Sequence, residues 1–145
     1  MICLIQRVTQ AKVTVNNQDI AEIGSGLLVL TGFQPNDDSN NIIKMANKLL
    51  NYRVFSDEDD KMNLNVQQIE GEVLLVPQFT LAADTQKGLR PSFSSSATPA
   101  IATKLFDEFV QQNRLLYPKI QTGQFGADMQ VSLINDGPVT FWLET

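Results

Sequence analysis

The sequence predicts a layered α/β domain, with a mixed sheet or a partly closed barrel and two helices packed on one face. Roughly eight short β-branched or apolar runs are typical of strands, and two longer segments have the spacing of amphipathic helices. Each helix has a single apolar face, so both should cover the same side of the β-structure. With 145 residues and 43% hydrophobic content, residues 1–145 are expected to form one domain.

The N-terminal part is predicted to be β-structure. Residues 2–15 are rich in β-branched side chains and end at Asn16-Asn17, a good turn dipeptide, after which residues 18–23 return as a hairpin. Residues 27–33 read LLVLTGF and predict a buried central strand. The chain reaches Arg7 at once and has no basic leader, so its start indicates a first strand rather than a signal peptide.

Two helices are predicted from their caps and their apolar spacing. Asp38 or Ser39 is expected to cap a helix over residues 39–50. Thr98-Pro99 places a capping residue before a proline at the first helical position, and this second helix should end near Asn113.

The segment between the first helix and the central stretch is predicted to hold a short strand at residues 52–55 and an acidic loop at residues 57–60. A calcium-binding reading of that loop fails, because Met62 stands where an EF-hand needs glycine and Gln68 where it needs glutamate. After the second helix, we expect a strand around Ile120, an irregular connection, and strands at residues 129–134 and 139–143. A tight turn, Asn135-Asp136-Gly137-Pro138, should join the last two strands.

The central stretch, residues 72–93, reads EVLLVPQFTLAADTQKGLRPSF. Its apolar start is typical of a strand that is buried on both faces. The strand then opens onto Gln78, Phe79 and Thr80, followed by a loop that contains Arg90. A buried strand that ends in polar residues commonly holds reactive groups, although an ordinary core strand ending in a surface loop gives the same pattern.

Composition excludes several kinds of chemistry. The chain has no histidine and one cysteine, Cys3, which excludes histidine-dependent triads and thiolate or histidine metal sites within one chain. We therefore expect no metal and no cofactor. The single cysteine favours the cytoplasm. The net charge of −5 argues against broad binding along a nucleic-acid backbone, although local contacts to one end remain open.

Several motifs, in order along the whole chain, resemble the D-aminoacyl-tRNA deacylase family. They are Gln6-Arg7-Val8, Pro77-Gln78-Phe79-Thr80-Leu81, Gly88-Leu89-Arg90-Pro91-Ser92-Phe93, residues 127–133 and Asn135-Asp136-Gly137-Pro138. The resemblance implies cytoplasmic homodimers with a β/β/α fold, which act away from membranes on the 3′ end of aminoacyl-tRNA. Such enzymes hydrolyse the ester of a D-amino acid or glycine to the terminal ribose. It also implies a cis Gly137-Pro138 bond, with this dipeptide inserted into the partner's site.

Catalysis is assigned to residues 78–80. Thr80 is the one hydroxyl of its motif, but no base is evident to activate it. We favour a route in which the ribose 2′-hydroxyl helps to activate water. In this route the N–H groups of Phe79 and Thr80 receive the oxyanion, and Gln78 shapes the pocket.

Substrate contacts are assigned to Gly137, Pro138, Arg7, Met129, Pro77 and Arg90. Arg7 should pin a loop through its guanidinium. For Arg90 three roles stay open: it holds a loop, contacts a phosphate or is a solvated loop charge. For Met129 two roles stay open: it lines an adenosine pocket or packs in the core. Pro77 stands where the family usually has serine, and we expect local adjustment rather than lost activity.

Three other functions stay open: a nucleic-acid-binding module without catalysis, a hydrolase of small D-amino acid esters or amides, and a structural homodimer. Salt dependence of binding separates the first. Turnover of a free ester compared with charged tRNA separates the second.

Overall fold

A six-stranded mixed sheet is the centre of the structure, a computed structural model that describes residues 1–145. Its strands are β1 (Ile2–Val15), β2 (Gln18–Ile23), β3 (Gly26–Gly32), β6 (Glu72–Pro77), β7 (Ile120–Thr122) and β8 (Gln130–Glu144). Strands β4 (Phe55–Ser56) and β5 (Met62–Leu64) form a separate two-stranded sheet. The helices are α1 (Ser39–Asn51) and α2 (Pro99–Leu116), and a short 3-10 helix spans Phe79–Ala82.

Strand β1 organises the sheet. On one edge its first half pairs antiparallel with β3 and its second half with β2, while β8 pairs antiparallel along the other edge. Strands β3, β6 and β7 follow in parallel, with α1 and α2 in the connections between them. The prediction of a mixed sheet, with strands joined through helices, is confirmed.

Two hydrophobic cores give the fold its layers. The larger core holds 26 buried residues and joins α1 and α2 to one face of β1, β3 and β6. A smaller core of eight buried residues lies on the opposite face, where the hairpin of β1 and β2 packs over β3 and β6. The predicted β/β/α layering, with both helices on one face, is therefore confirmed. No helix is long and apolar enough to cross a membrane.

The predicted caps place the helix starts correctly. The Asp38 side chain accepts hydrogen bonds from the N–H groups of Asn40 and Asn41, and the Asn41 side chain accepts one from the Asp38 N–H. The hydrogen bonds that its carboxylate accepts, first the one from the Asn41 N–H and then those from Asn40, lower the pKa of Asp38. Helix α2 has Pro99 at its first position but continues to Leu116, beyond the predicted end near Asn113.

The segment after α1 differs from the prediction. The predicted strand at residues 52–55 is wrong, since the strand is Phe55–Ser56 and pairs with Met62–Leu64, a strand the sequence did not indicate. The acidic run is the tip of this small hairpin. Asp57 accepts hydrogen bonds from the N–H groups of Asp59 and Lys61, so it closes the turn.

The predicted turn at residues 135–138 is also wrong. Strand β8 runs through this segment without reversing. Asn135, at its start, pairs with Val8 of β1, and Thr140, just beyond its end, pairs with Gln6 of β1. Residues 136–139 lie opposite Arg7 alone, so they form an enlarged bulge in one continuous strand. The turn-forming residues bend the strand outward without reversing it.

Candidate active site

Strand β6 leads directly into the residues predicted to be catalytic, Gln78, Phe79 and Thr80. Its apolar side chains from Val73 to Val76 are at most 1% exposed, which fixes the strand in both layers. The N–H of Gln78 then donates to the Thr31 carbonyl at 2.7 Å. Gly32 permits the 3-10 helix to lie close by, since a Cβ there would be 3.0 Å from the Leu81 Cβ and 3.1 Å from the Gln78 carbonyl oxygen.

The Thr80 hydroxyl lies beside an amide and not beside a base. Gln78 Nε2 donates to Thr80 Oγ1 at 2.6 Å, and no carboxylate contacts that hydroxyl. An amide cannot remove a proton from threonine. Cys3 is no alternative nucleophile, since burial raises the pKa of its thiol to about 12. The geometry therefore does not support an activated side-chain nucleophile.

Two adjacent backbone donors lie where the 3-10 helix begins. The Leu81 N–H donates to the Gln78 carbonyl and the Ala83 N–H to the Thr80 carbonyl. Phe79 and Thr80 are the first two residues of this helix, so their N–H groups have no acceptor within it. Both residues are exposed. Neighbouring free N–H groups are suited to a developing negative charge on a carbonyl oxygen.

A cavity of about 290 Å³ opens next to these residues. Pro77, Gln78 and Phe79 form one side, and Met129 and Phe125 line the rest together with neighbouring residues. The Gln124 N–H lies 3.3 Å from Met129 Sδ, which holds the loop against β8. The structure thus brings Met129 to the residues of β6. The sequence analysis does not assign Phe125 to the site. Its one indication in the sequence is that it is an aromatic residue in a glycine-bearing loop.

Pro77 fits the end of β6 without breaking the ladder. It pairs with Thr31 as the last residue of the strand, while the pairing with β7 ends before it, at Leu75. The hydrogen bond of the next residue, Gln78, continues the contact with β3. A missing N–H is tolerated where no partner needs it, so the strand keeps its course.

The bulge of β8 is closed by Asn135. Its Oδ1 accepts from the Val139 N–H at 2.6 Å, and its Nδ2 donates to Thr140 Oγ1 at 2.9 Å. The bond between Gly137 and Pro138 is cis, as the family resemblance implies. Both residues lie outside the pairing with β1, which leaves their carbonyl oxygens free of the ladder.

Arg7 holds this bulge from the opposite strand. Its Nε donates to the Asp136 carbonyl at 2.9 Å and lies 3.3 Å from that residue's carboxylate. Its Nη1 donates to the Val54 carbonyl at 2.7 Å. The largely buried guanidinium thus joins the bulge to the segment after α1.

The bulge and the predicted catalytic residues are separate within one chain. Gln78 bonds to Thr31, which pairs with Cys3, whereas the bulge faces Arg7. Four residues along β1 correspond to about 13 Å, and the two groups also lie beyond opposite edges of that strand. The cavity at Met129 contains no residue of the bulge.

Arg90 lies in neither group. It is in an exposed loop, residues 84–92, whose two ends are joined by backbone hydrogen bonds of 2.8 and 3.0 Å between Asp84 and Ser92. Arg90 makes no ion pair or hydrogen bond. The loop is anchored next to the site because the Phe93 and Phe79 rings pack with centroids 5.1 Å apart.

The acidic side chains do not form a metal site. No group of three or more His, Cys, Asp or Glu side chains lies close enough together to hold an ion. The Asp57 carboxylate already accepts hydrogen bonds from N–H groups of its own turn. The bond from the Lys61 N–H contributes most to lowering the pKa of this carboxyl.

Exhaustive chelation is therefore expected to leave the rate of any hydrolysis unchanged. The reason is that the residues of the site supply amide, hydroxyl and backbone groups in place of metal ligands. Initial rates before and after dialysis against a chelator measure this. If chelation lowered the rate and one particular ion restored it, the acidic residues 57–60 would become the candidate metal site.

A family model and curated relatives match this chain along nearly its whole length. A family model described as D-Tyr-tRNA(Tyr) deacylase matches residues 4–144, and the chain belongs to this family. The D-aminoacyl-tRNA deacylase of Hydrogenovibrio crunogenus is 66% identical over 100% of both chains. Its counterparts in Haemophilus influenzae and Pasteurella multocida are 64% and 62% identical over 99% of both chains.

Solved structures share the fold over the whole chain. The c-Myc DNA Unwinding Element Binding Protein is 40% identical, with a TM-score of 0.96 and coverage of 100% of this chain and 99% of that one. A probable eukaryotic D-amino acid tRNA deacylase has a TM-score of 0.88 at 17% identity, with coverage of 99% and 98%, and shows the fold alone.

Proposed function

We propose that this chain is a cytoplasmic hydrolase that cleaves the ester between a D-amino acid and the terminal ribose of tRNA. Family membership over residues 4–144 is the observation that carries the proposal. The Phe79 and Thr80 N–H groups, at the start of the 3-10 helix and beside a cavity, support the assignment of that activity to these residues. Glycyl-tRNA, which includes glycine mischarged on tRNA-Ala, is a second proposed substrate.

The adenosine of the tRNA end occupies the cavity at Met129 in this proposal. Apolar side chains of Met129, Phe125 and Pro77 suit the faces of a base. The ester carbonyl then lies next to the 3-10 helix. This order places the bond to be cleaved between the base-binding cavity and the N–H groups of Phe79 and Thr80.

The reaction proceeds by attack of water on the ester carbonyl. The ribose 2′-hydroxyl assists deprotonation of the water, and the Phe79 and Thr80 N–H groups stabilise the oxyanion. The carbon–oxygen bond to the ribose then breaks, and the ribose oxygen takes the proton. Gln78 orients the Thr80 hydroxyl through the 2.6 Å hydrogen bond.

Chiral selection is assigned to the bulge of β8 from a second subunit. The carbonyl oxygens of Gly137 and Pro138 accept charge-assisted hydrogen bonds from the α-ammonium. The same main-chain atoms occupy the space that an L side chain needs, which excludes it by a clash. Glycine passes because it has no side chain.

A homodimer follows from this assignment, since the bulge lies too far from residues 78–80 of its own chain. The outer edge of β8 has no strand partner, and Ile134 and Trp142 on this strand are about half exposed. Light scattering should give ~32 kDa, twice the chain mass of 16.1 kDa. Full activity in a 16.1 kDa species would contradict the shared site.

Thr80→Ala is expected to keep much of the wild-type rate. Backbone donors and the substrate's own hydroxyl carry the step, while loss of a covalent nucleophile costs several orders of magnitude. Single-turnover deacylation of D-aminoacyl-tRNA measures the difference, with Thr85→Ala, outside the motif, as the matched control. A collapse with the fold intact, or a trapped acyl-Thr80, would make Thr80 the nucleophile.

Two alternatives have direct tests. One alternative is a nucleic-acid-binding module, because the name of one structural relative describes a DNA-binding protein. The net charge of −5 disfavours this function, and such binding should weaken steeply as the salt concentration rises. A small-ester hydrolase would cleave a free D-amino acid ester as fast as charged tRNA. Strong preference for the tRNA separates the proposed activity from both.

A further inference from the structure

A second cavity, of about 530 Å³, lies where α2 begins. Phe79, Phe93 and Phe125 form its aromatic walls, and no charged side chain lines it. Phe79 and Phe125 also line the cavity at Met129, so the two cavities are neighbours that share a wall. The volume is within the ordinary range for small-ligand sites.

Ser96 lines this cavity and has a hydroxyl without a partner. Its Oγ makes no hydrogen bond, whereas the Oγ of adjacent Ser95 donates to the Ala82 carbonyl at 2.6 Å. The Ser96 Oγ is shielded from solvent and so does not face the cavity, and a rotation about the Cα–Cβ bond would bring it to a ligand there. A buried polar atom without a partner costs free energy, and a ligand that bonds to it after this rotation removes the cost.

The first turn of α2 forms another wall of the cavity, through Thr98 and Pro99. The Thr98 side chain makes no capping hydrogen bond, and the first turn has no acidic residue. The N–H groups of a first helical turn have no intrahelical acceptor, and such a helix end favours phosphate. Aromatic walls, a free hydroxyl and this helix end are together suited to a nucleotide.

We propose that this cavity binds the nucleotide preceding the terminal adenosine, the cytidine of the CCA end, and the proposal rests on the proposed function. Single-stranded RNA is recognised by stacking on aromatic side chains and by hydrogen bonds to base edges. The shared wall gives two consecutive bases adjacent sites. A hydroxyl at Ser96 suits a ligand that is identical on every tRNA, unlike the variable amino-acid side chain.

The test compares two minimal substrates, the D-tyrosyl esters of adenosine and of the dinucleotide CpA. One stacked base should raise kcat/KM of the dinucleotide ester by about 5- to 150-fold. Ser96→Ala should reduce this gain several-fold and leave the adenosine ester unchanged. Ser94→Ala is the matched control, because that exposed hydroxyl contacts only Ser92.

Phe93→Leu is a second variant, which keeps apolar packing and removes an aromatic face. Equal kcat/KM for both esters, or a gain unaffected by both variants, would overturn the assignment. A Ser96→Ala effect on the D-tyrosyl to D-alanyl ratio of adenosine esters would assign the cavity to the amino-acid side chain. A change in dimerisation alone would assign it to a second copy of the chain.

Binding of unacylated CpA tests the cavity independently of catalysis. Nuclear magnetic resonance titration should shift the amide signals of Phe93 and Ser96 with CpA but not with adenosine. If neither ester is hydrolysed while these shifts occur, the proposed function fails and the nucleotide site stands. If both esters are hydrolysed equally and the shifts are absent, the site alone fails.

Discussion

Gly137→Ala is expected to reduce deacylation of D-aminoacyl-tRNA by roughly 100-fold or more, the loss typical of a displacement of about 1 Å in an active site. Gly137 has a backbone φ of 141°, a conformation that residues with a Cβ rarely adopt. An added Cβ would lie 2.6 Å from Val139 Cγ2 and 3.3 Å from Arg7 Nη2. The bulge must therefore shift, and the carbonyl oxygens proposed to hold the α-ammonium shift with it.

Gly88→Ala is the control for this variant. Gly88 also has a positive φ, 72°, but a Cβ there would meet no atom within 4 Å. The control should keep its rate, and circular dichroism should show that both variants are folded. Wild-type D-activity with intact rejection of L-substrates in Gly137→Ala would place chiral selection outside the bulge.

Replacement of the terminal ribose 2′-hydroxyl by hydrogen is expected to lower the rate by several orders of magnitude. The 2.6 Å hydrogen bond from Gln78 occupies the Thr80 hydroxyl, and the chain has no histidine to act as a base. The proposed proton route therefore depends on the substrate. The size of the effect follows from losing a group that acts in the transition state.

The measurement is single-turnover deacylation of D-aminoacyl-tRNA that ends in 2′-deoxyadenosine, with the amino acid on the 3′-oxygen. A competition assay should show that the deoxy substrate still binds, which separates binding from chemistry. A deoxy substrate cleaved at the normal rate would require a protein base that the sequence does not provide.

Much of the fold follows from local chemistry. The Asn16-Asn17 turn, the Asp38 cap and Pro99 at the start of α2 each act within a few residues, so the sequence predicts them correctly. The continuous apolar run of β6 also indicates a strand buried in both layers. These features need no knowledge of distant parts of the chain.

The errors arise where distant pairing decides the structure. Residues 135–138 have the chemistry of a hairpin turn, and only the pairing of both flanking segments with β1 makes them a bulge. Strand β5 is too short to have a periodic pattern, and it exists because Met62–Leu64 pairs with β4. Phe125 and Gln78 line the same cavity because β7, which leads to Phe125, pairs in parallel with β6.

For the candidate site, the sequence indicates residues and the structure adds their positions. The sequence indicates residues 78–80 through their motif, and Met129 joins them at the cavity. The position of Arg7 against the Asp136 carbonyl follows from the register of β1 and β8, which no local pattern specifies. The positions of Ser96 and Phe125 at a cavity do not follow from the sequence, because their surroundings come from other elements.

The most direct test of the proposed activity is deacylation of one tRNA charged with a D-amino acid, its L-enantiomer or glycine. The tRNA body and the terminal adenosine are then constant, and only the α-carbon differs. The purified chain should hydrolyse the D-aminoacyl and glycyl esters and spare the L-aminoacyl ester. Hydrolysis of both enantiomers, or of neither, would contradict the proposal.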